Sequence, residues 1–287
     1  MILLSPEPRN APQATARMLV RAADLEIIPL RGVVEKLAVV PTSTRITITC
    51  SPRWGIERTL EYAASVIGAG YRVVPHLAAR QVADERQLRD LVERLTDLGV
   101  RDLFVIGGDA PEPAGAFDSA GSLLDALAET GHEFETIGVA CYPEGHPSIA
   151  GDRLLEALRL KQQQATYMVS QLCFDIAALT GWLRDARARG ITLPLHVGLA
   201  GPLKARKLME LSVRIGVGSS VRYLTRQHGL VTSMLRGDSY RPETLLDDLG
   251  RAPDIEALRI KGIHLYSFNQ VTDTIDWQRR IAGGIQA

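Results

Sequence analysis

Short apolar and β-branched runs alternate along this chain with longer stretches whose apolar positions recur at helical spacing. The short runs predict strands at Leu25–Leu30, Arg45–Cys50, Arg72–Leu77, Asp102–Gly107, Thr136–Tyr142, Tyr167–Phe174, Leu193–Leu199 and Gly262–Phe268. Between them the amphipathic stretches predict helices, among them Ile56–Ile67, Asp84–Leu98, Ser122–Thr130, Asp152–Gln163, Ile176–Arg189 and Ala205–Ile215. Gly70, Gly99, Gly131 and Gly190 stand where helix C-terminal caps belong. Eight strands, each followed by helical sequence, predict an α/β fold: one (β/α)8 TIM barrel spanning residues 1–287 as a single domain. The helix after the first strand is short, about Val33–Val39. The long stretch Ser219–Ile260 leaves room for two or three extra helices between strands 7 and 8. A doubly wound open sheet is the architectural alternative.

Composition narrows the classes of partner. Thirty-three basic residues balance thirty-three acidic ones, so no global field favours nucleic acid or an anionic membrane. Cys50, Cys141 and Cys173 are isolated, which suits a reducing compartment better than a disulfide framework or a structural zinc site. No apolar run reaches the ~18 residues of a membrane span, and Met1–Asn10 lacks the pattern of a signal peptide. The expectation is a cytoplasmic protein with no metal site. Oligomeric state is not legible.

In a parallel barrel the chemistry gathers at the C-terminal ends of the strands. Those ends here supply Glu26, Thr49, His76, Asp109, then Tyr142 with Glu144 and His146, Gln171 with Asp175, and Tyr266 with Asn269. The segment Ala140–Pro147 is the densest: a phenol, a carboxylate and an imidazole within five residues, framed by two prolines and a glycine. Glu26 lies in the apolar run Leu25-Glu26-Ile27-Ile28-Pro29. Desolvation there would disfavour its ionised form, as a general acid near neutral pH requires. A structural ion pair would account for it equally well. For His76 a satisfied core histidine is the better reading of a lone His. Asp109 follows Gly107-Gly108, where exposed backbone amides could approach a ligand, with a capping carboxylate nearly as good a reading. Gln171 could read the paired donor and acceptor of a heterocycle or merely satisfy nearby backbone. Glu57 reads as a first-turn helix carboxylate that suits the dipole. No Walker loop, G-x-S-x-G elbow or H-E-x-x-H is present, and no lysine falls at the active end of a strand.

Taken in order, these segments resemble the methylenetetrahydrofolate reductase family from about Glu26 to Asn269. Glu26-Ile27-Ile28-Pro29 is similar to the family's opening Glu-Phe-Phe-Pro strand, and Pro75-His76-Leu77 matches its Pro-His-Leu. Gly108-Asp109 with Pro111 matches the end of Leu-Arg-Gly-Asp-x-Pro. Tyr142-Pro143-Glu144-Gly145-His146-Pro147 is the most distinctive match. Ser170–Asp175 is similar to Thr-Gln-x-x-Phe-Asp, and His264–Asn269 to His-Phe-Tyr-Thr-x-Asn.

The resemblance implies a barrel that reduces 5,10-methylenetetrahydrofolate to 5-methyltetrahydrofolate, a step of one-carbon metabolism that feeds methionine biosynthesis. It implies Glu26 as general acid. Asp109 and Gln171 would hold the pterin, Asp109 also stabilising the developing cation, with Tyr142, Phe174 and Tyr266 as further substrate contacts. Thr49, His76, Tyr142, Glu144 and His146 correspond to positions around the flavin, with Glu57 and Asn269 as outlying candidates. The departures concern that flavin. Gly107 stands where the family has Arg. Ser148–Lys161 keeps a Lys, Lys161, but no clear counterpart of the family's Asp. Gln162-Gln163-Gln164-Ala165 replaces the usual Gly-Ala, and Phe268-Asn269-Gln270 the Leu-Asn-Arg ending. Losing an Arg removes a bidentate phosphate ligand. The expectation is therefore NADH or NADPH donating hydride directly, with FAD doubtful. The alternatives are an FAD enzyme with other anchors, a non-redox pterin-binding barrel, and an unrelated lyase using Glu26 and His76.

Overall fold

A computed structural model describes residues 11–146, 148–204, 206–208, 210, 239–240, 242–252 and 254–283. Its strands β1 (Asp24–Ile27), β2 (Ile46–Ile48), β3 (Val73–Ala78), β4 (Asp102–Ile106), β5 (Thr136–Cys141), β6 (Tyr167–Ser170) and β7 (Leu195–Ala200) are followed by a small antiparallel pair, β8 (Leu203–Lys204) with β9 (Ser239–Tyr240). The last strand is β10 (Ile260–Tyr266). Eight of these strands, all parallel, close into a barrel in the order β1-β10-β7-β6-β5-β4-β3-β2. The (β/α)8 reading therefore holds, and the open sheet does not.

The helices are α1 (Ala11–Arg21), α2 (Val33–Lys36, continued by a 3-10 turn at Leu37–Val39), α3 (Gly55–Gly68), α4 (Glu85–Asp97), α5 (Ala120–Ala128), α6 (Gly151–Lys161), α7 (Ile176–Ala188), α8 (Glu243–Arg251) and α9 (Val271–Ala282). Their buried stripes, such as Leu88, Leu91, Val92 and Leu95 on α4, lie against the outward strand residues. Side-chain caps start several of them: Asp84, Ser119 and Asp175 accept from backbone N–H groups two or three residues into their helices. All four glycines expected to end helices have positive φ. Of the Ser219–Ile260 region read as extra helices, α8 lies among the described residues, while 219–238, 241 and 253 fall outside them, as does most of the helix read at Ala205–Ile215. The helix α1 has no counterpart in the sequence reading. It packs beside α8 and α9, where Gln278 Nε2 donates to the Val20 carbonyl (2.8 Å).

The barrel interior holds two polar layers separated by rings. At the N-terminal end Arg45 makes two hydrogen bonds to Asp24 (2.9 and 2.6 Å), and its guanidinium lies 5.2 Å from the centre of the Tyr167 ring. His196 meets Asp24 at 3.2 Å, while Arg72 and Thr136 both donate to the buried Asp102. Above this floor Phe104 and Tyr167 pack at 6.4 Å beside Val74 and Val169. Glycines make room for the rings. A Cβ on Gly138 would overlap both Tyr167 and Phe104, one on Gly262 would lie 2.8 Å from the His196 ring, and one on Gly198 would lie 2.7 Å from Tyr266 while striking the Ser170 carbonyl. Gly198→Ala should therefore lower stability in urea unfolding by about 1–3 kcal/mol, the usual penalty of overpacking a filled interior. An unchanged midpoint would show that the β6–β7 backbone yields freely.

Candidate active site

The upper polar layer is built around Glu26. Strand alternation turns Glu26 to the same side as Asp24, two residues earlier, and its carboxyl is 13% exposed. His264 comes from the neighbouring β10, its Nε2 3.1 Å from Glu26 Oε2. His76, from β3, brings its Nε2 to 3.7 Å from the same oxygen. The His76 ring packs 4.8 Å from Phe104. Burial pulls the His76 imidazole down to about 4; Glu26 acts in the opposite direction, and His264 adds to the lowering. His76 is thus neutral at physiological pH.

Three buried polar atoms next to Glu26 make no hydrogen bond among the described residues: Thr47 Oγ1 on the adjoining strand, His76 Nε2 and His264 Nδ1. Native interiors leave few such atoms, and their concentration around one carboxyl suits a reactive centre better than a packing device. The backbone around them is firmly held. Ser267 Oγ donates to the Glu26 carbonyl, and the Asn269 side chain both accepts from Ile28 N (2.8 Å) and donates to Ile28 O (2.9 Å). Phe268 and Asn269 both have positive φ, which lets the chain turn back over β1. Asn269 is therefore a clamp on β1. Tyr266 crosses the mouth to donate to the Ser170 carbonyl (3.0 Å); burial first, then the Glu26 charge, raise its phenol far above the ordinary range.

The remaining candidates sit at the strand ends on the same rim. Thr49 follows β2, its carbonyl accepting from Thr59 Oγ1 (3.1 Å). Tyr142 follows β5 and is pushed up to about 12, mostly by burial and then by the nearby Asp109 charge. Its ring meets His146 edge-on at 5.2 Å, and Ser148 N donates to His146 Nδ1 at 3.3 Å. Glu144 Oε1 accepts from Phe174 N (3.3 Å). Asp109 is exposed, on the loop that leaves β4 through Gly108 (φ 89°). Gln171 follows β6; its N–H donates to the Cys141 carbonyl, and its side-chain oxygen accepts from Leu172 N.

Two expected site residues lie elsewhere. Phe174 is completely buried, edge-on to Tyr240 at 5.9 Å, because β6 ends at Ser170 and the chain then dips into the core. Glu57 sits in the first turn of α3 and forms a two-pronged pair with Arg94 on α4 (2.9 and 2.6 Å), on the helical shell. Asp175 caps α7, its side chain accepting from Ala178 N. Arg80, which the sequence reading passed over, spans the Asp109 loop by donating to the carbonyls of Ala110, Pro111 and Asp118. Its only sequence signal is its place just after β3. Among the described residues no group of His, Cys, Asp and Glu has the arrangement of a metal site, and no helix is long and apolar enough to cross a membrane.

A family profile described as methylenetetrahydrofolate reductase matches residues 31–215. The chain belongs to the methylenetetrahydrofolate reductase family. Similarity to individual members of the family is distant. A 5,10-methylenetetrahydrofolate reductase of Pectobacterium carotovorum subsp. carotovorum is 26% identical over 211 residues, 70% of this chain and 66% of that protein. Methylenetetrahydrofolate reductase 1 of Schizosaccharomyces pombe is 28% identical over 138 residues, 45% of this chain but 23% of the yeast protein. The chain thus spans about two thirds of the bacterial relative and about a quarter of the yeast one. Among solved structures, a phosphonomutase candidate from Burkholderia cenocepacia J2315 superposes with a TM-score of 0.50 at 11% identity, covering 89% of this chain and 92% of that one, a likeness of fold alone. The family match begins after Glu26 and ends before β10, so the cluster of Glu26 with His264 rests on geometry.

Proposed function

We propose that this chain reduces 5,10-methylenetetrahydrofolate to 5-methyltetrahydrofolate with hydride from NADH or NADPH. The observation that carries the reading is the enclosed Glu26 carboxyl at the barrel mouth, bonded to His264 and facing His76. A shielded carboxylic acid of this kind can protonate the bridging amine of the substrate and open its five-membered ring to an iminium. Hydride then adds to the exocyclic methylene carbon. Asp109 and Gln171 would hold the pterin, with the Asp109 charge stabilising the iminium. Tyr142 and Tyr266 would line the substrate, while Thr49, His76, Glu144 and His146 would border the hydride donor. Phe174 would reach a ligand only after a rearrangement of the 171–174 turn.

FAD fits the residues poorly. Gly107 replaces the family's Arg, and two cations that could serve instead, Arg80 and Lys161, are already engaged. Arg80 is spread over three main-chain carbonyls. Lys161 directs its Nζ to the Ala140 carbonyl (3.1 Å), and burial draws its ammonium down to about 8. Neither offers a free charge to a diphosphate. Direct transfer from the reduced nicotinamide is therefore the preferred route, and no step is assigned to a flavin. The test is anaerobic NADH and NADPH oxidation with methylenetetrahydrofolate, with and without added FAD, alongside an absorption spectrum of the purified protein. Turnover without flavin is the expected result. Bound flavin that NADH reduces would replace direct transfer by the flavin route, and folate binding without turnover would make this a non-redox pterin-binding barrel.

A further inference from the structure

We propose that His264 is a positioning residue for the Glu26 proton: by donating from Nε2 to Oε2 it leaves Oε1 as the oxygen that carries and delivers the proton. The inference rests on the reductase reading for its catalytic meaning, but its geometry stands independently.

Both imidazoles that face the Glu26 carboxyl, His264 at 3.1 Å and His76 at 3.7 Å, approach Oε2. Oε1 makes no hydrogen bond with a described residue. His264 is immobilised: it is 1% exposed, its ring lies 4.8 Å from Tyr266 in an edge contact and 6.5 Å from Phe104 in a stacked one. Its Nδ1 has no partner. An ionised carboxylate can only accept, so the His264–Glu26 bond requires a proton on Nε2. When Glu26 is protonated, the same Nε2–H still claims Oε2, and the acid proton is confined to Oε1. In the transfer the Oε1–H bond breaks, its electron pair stays on the carboxylate, and the new N–H bond forms on the bridging amine. His264 keeps its own proton throughout and stabilises the carboxylate left behind. His76, the other titratable side chain against this oxygen, is kept neutral by burial and adds no competing charge. Tyr266, held by the Ser170 carbonyl, stays protonated.

Two variants and one spectrum test this. His264→Phe retains the ring volume but no donor, and should lower kcat about 10- to 100-fold, the scale of one hydrogen bond to a charged group, with little change in KM. His264→Gln keeps an N–H near the same place and should recover most of that loss. Wild-type kcat in a folded His264→Phe protein, or equal losses in both variants, would overturn the proposal. Nitrogen-15 NMR of the wild-type imidazoles, with His264 assigned by its disappearance in the variant, should show the Nε2–H tautomer. An Nδ1–H tautomer would overturn it even if the enzyme is active. Should the wild type show no reductase turnover, the functional reading falls alone, and the tautomer still decides the proton placement.

Discussion

Glu26→Gln is expected to reduce turnover by roughly 100- to 10,000-fold, the range in which positioned acid–base groups contribute, while folate still binds. The amide keeps the shape of the carboxyl and can still accept from His264, so the barrel mouth should remain intact. What it lacks is a proton acidic enough to pass to the bridging amine. The measurement is steady-state kcat beside a titration of folate binding in the same preparation. Full activity in the Gln variant would remove Glu26 from the chemistry. Loss of binding and folding together would mark it as a structural member of the His76–His264 cluster.

The largest expected effect on stability lies at the opposite end of the barrel. Asp24 is almost wholly enclosed, and burial by itself would raise its carboxyl. Hydrogen bonds from His196 and Arg45 outweigh that, holding it at about 2 against the ordinary 3.8. A carboxyl with a depressed folded value stabilises above its unfolded value and loses that stabilisation as pH falls through the folded one. Asp24 therefore contributes about 2 kcal/mol that is present above about pH 4 and disappears towards pH 2. Asp24→Asn should lower stability at pH 7 by about 3 kcal/mol, because it leaves Arg45 largely buried with only the more distant Asp102 (3.5 Å) to balance it. The gap between variant and wild type should narrow as pH falls from 4 to 2. Urea unfolding across that range checks both statements, and a constant gap would show that the hydrogen bonds, not the charge, carry the stabilisation.

Much of this architecture was legible in the sequence because a parallel barrel writes itself twice, as apolar runs for the strands and as 3.6-residue stripes for the helices. The strand starts and the capping glycines came through well. Strand ends did so less well: Tyr167–Phe174 reads as one apolar run, yet pairing stops at Ser170 and Phe174 enters the core by way of a turn. Helix α1 was missed because Ala11–Arg21 is followed directly by a strand and has no clear start signal. Glu26, His76, Thr49 and Tyr266 could be named because strand ends share a rim. The partnership of Glu26 with His264 could not, since 238 residues separate them and only the closure of β10 onto β1 joins them. Arg80 was hidden for a similar reason: its partners are main-chain carbonyls, which leave no trace in side-chain patterns. The lower network shows the same limit. Nothing in the sequence pairs Asp24 with Arg45 and His196, or Asp102 with Arg72, and only the closed barrel brings them together.

Packing Phe104, Tyr167, Val74 and Val169 between that floor and Glu26 has a further consequence. These four buried side chains stand between the lower network and Glu26, so if Glu26 is the acid proposed above, its replacement proton is expected to come from the rim where the ligands would bind. On that proposal, recharging of the acid would be tied to departure of the product, and the cycle would be resupplied from the same doorway that it empties.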